Sequence, residues 1–191
     1  MKNLSSDKRT ALLQAALTLF TRHGFHGTPT SKIAKEAGVA TGTLFHYFGT
    51  KEELINQLYL AIKQDLGQGL AAGVTEELTL RGKIRRIWFN FIAWSLDEPK
   101  KLFFFNQFSS SPSISNLTKE EALLQLRFLS NIFEEGQRQE ILKPMPAELL
   151  ADICTGMAQV TSMHFIKHPE RFHDTDYREM AFAAYWDCIR R

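Results

Sequence analysis

The chain has 191 residues, 44% of them hydrophobic, and a formal net charge of +2, which gives it material for a packed core and excludes a chain disordered throughout. No apolar run reaches membrane-spanning length and residues 1–20 carry no signal-peptide core, so the cytosol is the expected compartment. Residues 1–55 hold seven basic and four acidic groups against sixteen and seventeen in the remainder, so the positive excess lies in the N-terminal quarter, where phosphate is the natural partner.

Taken in chain order, almost every segment reads as helix. Leu12, Leu13, Ala16, Leu17 and Phe20 recur at the helical period, and Gly24 stops that run. Thr28-Pro29 predicts the start of a short second helix, with Thr28 as N-cap and Pro29 in the first turn, running through Ile33, Ala34 and Ala37 to Gly38. A third short helix is expected from about Thr41 to Phe48. Thr50-Lys51-Glu52-Glu53 is a capping box that opens a longer helix through Leu54, Leu58 and Ile62. Further helices are predicted near 76–96, 98–109, 118–140, 146–167 and 176–190. Thr118 with Glu121 and Asp176 with Glu179 read as further capping boxes, and Pro146 suits a first turn. No β-alternation of useful length occurs, so the fold class is all-α.

The two short helices joined at Ala37-Gly38-Val39 carry the functional signal. Gly38 permits the left-handed backbone of a sharp turn, while Ile33, Val39 and Leu44 are expected to point inward and fix the angle. The outer face of the second helix then falls to Thr41, Gly42, Thr43, His46 and Tyr47, short and polar side chains of the kind that meet base edges and phosphates in a major groove. A hairpin that merely packs is the plainer alternative from turn geometry alone.

Phe20-x-x-x-Gly24-Phe25-x-x-Thr28, followed by Ile33-Ala34-x-x-Ala37-Gly38-Val39-x-x-Gly42-Thr43-Leu44-Phe45-x-Tyr47-Phe48-x-x-Lys51-x-x-Leu54, resembles the N-terminal signature of the TetR family of bacterial transcriptional regulators. The resemblance implies a three-helix helix-turn-helix DNA-binding domain at 1–50 and a helical effector-binding and dimerisation domain at 51–191. It implies that Thr30 and Ser31 meet phosphate at a helix start, that Thr41, Gly42, Thr43, His46 and Tyr47 form the recognition helix, and that Lys51 reaches the DNA backbone. Phe45 and Phe48 are expected to pack the small core. Two positions depart from the pattern. Ala40 stands where the family often has a hydroxyl cap, leaving Thr41 as an alternative cap, and Pro29 replaces a second hydroxyl residue.

One short recognition helix reads few base pairs, so operator DNA requires a homodimer. The last two helices supply the expected interface through Leu149, Ile153, Met157, Val160, Met180, Ala184 and Tyr185, as in the family. The aromatic middle of the chain suggests a pocket for a small, largely apolar effector; its candidate residues are Trp88, Phe91, Phe104 and Phe108, with Asp152, Thr155 and Gln159 from a later helix. Asp152 would pair with a cationic effector if turned inward and is an ordinary solvated acid if turned outward. Cys154 and Cys188 lack metal-ligand spacing and read as reduced thiols; His164 and His168 have helical metal spacing but no third ligand. No nucleophile–base set or glycine-rich phosphate loop is found, so no enzyme, cofactor or metal is expected. The function expected is a repressor released from its operator by an effector; the alternative is a DNA-binding regulator acting through a protein partner.

Overall fold

The computed structural model describes residues 4–191, with side chains from Asp7 onward, and Lys2 of the basic head lies outside the described residues. Among them are eleven α-helices: α1 Leu4–His23, α2 Thr30–Glu36, α3 Thr41–Phe48, α4 Lys51–Ala71, α5 Leu80–Asp97, α6 Pro99–Phe108, α7 Asn116–Leu124, α8 Arg127–Arg138, α9 Ala147–Lys167, α10 Pro169–His173 and α11 Thr175–Ile189. A 3-10 turn at Val74–Glu76 and an isolated bridge between Leu142 and Arg190 complete the described elements. No described helix is long and apolar enough to cross a membrane.

Contacts divide the chain into two compact units. The first holds the chain through Gln64 together with Lys100–Ala122; the second holds Asp65–Pro99 and Leu123–Arg191. In the first, Leu12, Ala16 and Phe20 of α1, Ile33 of α2, Leu44 and Phe48 of α3, and Leu54, Ile55 and Leu58 of α4 are all buried. Phe104 and Phe108 of α6 lie 4.7 Å apart between ring centres, tilted by 31°, and Phe108 lies 6.2 Å from Phe20, so α6 packs on this core. The Asn56 side chain on α4 donates to the Ser113 carbonyl and accepts from the Ser115 amide, pinning the loop after α6.

The second unit is built around α5, whose Ile84, Trp88 and Ile92 are buried. The Trp88 ring lies 5.7 Å from Phe182 and 6.1 Å from Tyr185 of α11. Arg85 holds Glu179 through a two-point ion pair, which keeps the carboxyl below its ordinary value chiefly through the hydrogen bond itself. The C-terminus is tied back by Lys143 N–H to the Ile189 carbonyl and Arg191 N–H to the Ile141 carbonyl, each at 2.9 Å.

Several local expectations are corrected. The second helix begins at Thr30 with Pro29 at its N-cap, because the buried Thr28 hydroxyl is spent inside the preceding loop, donating to the Gly24 carbonyl at 2.7 Å. Ser115, not Thr118, caps α7, its hydroxyl oxygen accepting the Thr118 amide, and Asp174, not Asp176, caps α11 by accepting the Tyr177 amide. The predicted helix at 118–140 is broken at Gln125–Leu126 into α7 and α8. A Cβ at Gly67 of α4 would stand 2.8 Å from the Gln125 carbonyl oxygen, so α4 packs against backbone at the break, an approach that only glycine permits. By contrast the Thr50 hydroxyl accepts the Glu53 amide at 3.0 Å, half of the expected capping box.

Candidate nucleic-acid interface

The corner between α2 and α3 forms by backbone chemistry. Gly38 adopts φ +69°, and the Ala37, Gly38 and Val39 amides return to the Ile33, Lys35 and Ala34 carbonyls at 3.0, 3.1 and 2.9 Å. Burial of Ile33, Ala34 and Leu44 on one side turns the opposite side of α3 outward, and Val39 is half-buried at the corner.

On that outer side Thr41, Gly42, Phe45 and His46 are exposed, with Thr43 and Tyr47 half-buried at its edges. A Cβ on Gly42 would meet nothing within 4 Å, so the backbone there lies open to an approaching surface. Ala40, in extended backbone, is the N-cap of α3 and supplies no side-chain acceptor. Thr41 is therefore the first helical residue rather than the cap, and the Thr43 amide returns to the Ala40 carbonyl at 2.9 Å at the positive end of the helix dipole. α3 contains no acid.

Phe45 corrects the expectation that it packs in the core: it is 45% exposed, whereas Phe48 is 1% exposed. Helical spacing could have shown this, since Phe45 lies three residues beyond Gly42 and four beyond Thr41, on their face. At the start of α2, Ser31 is exposed and Thr30 half-buried. Lys51 turns back on the loop before α2, donating to the Phe25 carbonyl with its ammonium 4.3 Å from the Phe25 ring centre. Burial lowers its pKa, against an opposing effect of Glu52. Arg9 bonds to Gln57 at 2.9 Å and lies over Phe48, joining α1 to α3 and α4.

The residues proposed from sequence for an effector are placed unevenly. Trp88, Phe91, Phe104 and Phe108 are buried, the first two in the second unit and the last two in the first. Asp152 and Thr155 are exposed and Gln159 half-buried, so Asp152 is turned outward to solvent rather than into the domain. The second unit carries a cleft of about 420 Å³, lined among others by Ala71, Val74, Lys83, Phe128, Asn131 and Ile132, none of which the sequence singled out.

On α9 the expected interface residues Leu149 and Val160 are 50% and 72% exposed, with Ile153 and Met157 half-buried. On α11 Met180 is 61% exposed and Ala184 is exposed. Tyr185 corrects the set, because its ring is buried against Trp88 and Phe182, and burial raises its pKa. Cys154 is buried and its thiol pushed up to about 11, chiefly by desolvation, which makes it a poor thiolate. No cluster of three potential metal ligands occurs among the described residues.

A short helix presented outward by a glycine corner, on an acid-free face, is the reading head of a helix-turn-helix DNA-binding protein. A family model described as bacterial regulatory proteins of the tetR family matches residues 12–58, and one described as the tetracyclin repressor-like C-terminal domain matches 80–190. The chain belongs to the TetR family and is a DNA-binding transcriptional regulator, in a family of regulators rather than enzymes. A TetR-family regulator from Shewanella sp. PV-4 is 37% identical, covering 96% of this chain and 98% of its own with a TM-score of 0.89. An HTH-type transcriptional regulator of Haemophilus influenzae is 27% identical over 196 residues, covering all of both chains. The regulator FadR of Bacillus subtilis, solved in complex with stearoyl-CoA, shares the fold at 22% identity, with 92% and 95% coverage and a TM-score of 0.71.

Proposed function

We propose that this regulator is a cytoplasmic homodimeric repressor, released from its operator when a small, largely apolar effector binds. Residues 1–50 form its reading head and 51–191 its effector-binding and dimerisation domain. The observation that carries the reading is the outward face of α3, where Thr41, Gly42, Phe45 and His46 stand free of any acid. Thr41, Thr43 and His46 serve base edges and phosphates, Phe45 offers an apolar contact to a thymine methyl, and Tyr47 reaches a phosphate. Thr30 and Ser31 meet backbone phosphate at the start of α2. Lys51 holds the Phe25 loop in the free protein and turns to phosphate when DNA arrives.

Two copies are needed because one such helix reads too little sequence to find an operator among competing sites. The exposed apolar stripe Leu149, Ile153, Met157 and Val160 on α9, with Met180 and Ala184 on α11, supports a four-helix pairing of two chains. Effector responsiveness is supported by the related fold that holds stearoyl-CoA and by α4, one continuous helix from Lys51 to Ala71 that ties the reading head to the effector domain. An effector that favours a conformer with displaced heads needs a few kcal/mol of differential binding to empty the operator, on the order of 1–3 kcal/mol in typical couplings.

Selection from a random duplex pool tests the first half. It should enrich an inverted repeat whose half-sites lie one helical turn, about 34–36 Å, or a multiple apart. An enriched site without two-fold symmetry contradicts the dimeric reading. A metabolite library titrated onto the selected complex tests the second half; a library that leaves operator affinity unchanged contradicts effector release.

A further inference from the structure

Lys63 is the one lysine or arginine buried among the described residues, at 6% exposure on α4. Its ammonium lies 4.0 Å from the ring centre of Phe105 and 5.9 Å from that of Tyr59, and those two rings are stacked 6.1 Å apart. No carboxylate pairs with it among the described residues, and burial, without any charged neighbour, lowers its pKa to about 8. At neutral pH the group is still mainly protonated, so the fold carries a buried cation whose contacts are two aromatic faces. A buried charge without a counter-ion is costly and is stabilised by any anion that reaches it. The cleft beside Val74 and Ile132 offers nothing comparable: its cation, Lys83, already faces the Glu135 carboxylate at 3.7 Å.

We propose that Lys63 recognises the anionic end of the effector, which is therefore a carboxylic acid with an apolar or aromatic body; this rests on the effector-responsive reading above. The rings of Tyr59 and Phe105 leave a polar body unsolvated next to the ammonium and favour an alkyl or aryl one. Phe105 itself is only half-buried, so this aromatic wall reaches solvent. Placement on α4 also couples the site to DNA, because the same helix begins at Lys51 and holds the Phe25 loop.

Calorimetric titration of the full-length protein with matched acid and alcohol pairs tests this: octanoate and octanol, decanoate and decanol, benzoate and benzyl alcohol, naphthoate and naphthalenemethanol. At least one acid should bind about tenfold or more tighter than its alcohol, the range of a charge-assisted hydrogen bond. Lys63→Met and Lys63→Gln should abolish that preference while melting no lower than the wild type. The assignment is overturned if no acid outbinds its alcohol, or if either variant binds the acid undiminished. An acid that binds through Lys63 without altering operator affinity sinks effector release and leaves this site standing. Alcohols that release DNA equally from wild type and Lys63→Met do the reverse.

Discussion

Gly38 and Lys63 show how single positions carry cost in this protein, one in its backbone and one in its charge. A Cβ at Gly38 would meet nothing within 4 Å, so the penalty of Gly38→Ala comes from φ +69° alone. We expect a loss of about 1–2 kcal/mol in urea unfolding, with the corner retained. Lys63 behaves differently. It titrates at about 8 in the folded protein and near 10.5 when unfolded, so between those values the unfolded chain holds the extra proton and stability rises with pH. Below about pH 8 the buried charge opposes folding in full. Lys63→Met should therefore be the more stable protein at pH 7, by on the order of 1–3 kcal/mol, with the gap closing as pH rises towards 10.5. Urea midpoints of the two proteins from pH 7 to 10 check this; a gap independent of pH would place the lysine's proton elsewhere.

Among the helices, those set by local chemistry were legible and those set by tertiary contact were not. The turn at Gly38, the cap at Thr50 and the short helix from Thr41 to Phe48 could be read directly, because each depends on residues within one turn of itself. Caps chosen from several candidates were misread. Ser115 and Thr118 both carry a hydroxyl, as Asp174 and Asp176 both carry a carboxylate, and the choice follows from where the chain turns into helix. The break between α7 and α8 has no glycine or proline of its own; it lies where α4 approaches the backbone at Gly67, more than fifty residues away. Phe45 was assigned by hydrophobicity to the core although its helical position lies on the exposed face of α3. α9 carries an apolar stripe on each of two sides. Leu150, Cys154 and Phe165 are buried, while Leu149 and Val160 are exposed on the other side. Val160→Glu should leave each chain folded, since the side chain is already 72% exposed, and weaken self-association about a hundredfold or more by placing a charge in the paired face. Sedimentation across a concentration series reads this directly; an unchanged association constant puts the interface elsewhere.

In the whole molecule, the proposed function requires a small head that reads DNA and a larger helical body that pairs and senses. The head was largely legible because its signature is local and dense, whereas the burial of the candidate effector residues was not, because burial cannot be inferred from aromatic content. Trp88, Phe104 and Phe108 turned out to be packed on one another or on neighbouring rings, and the buried lysine beside Phe105 went unremarked. The reading head can be challenged with one substitution on α3. Gly42→Ala meets open space in the free protein and replaces a poor helix former, so stability should hold or rise by up to about 1 kcal/mol. If α3 lies in the groove with its backbone close to the bases, fluorescence anisotropy with the selected operator should show affinity falling about tenfold or more. Operator affinity equal to wild type, in a variant of undiminished stability, would mean that this face of α3 does not meet DNA.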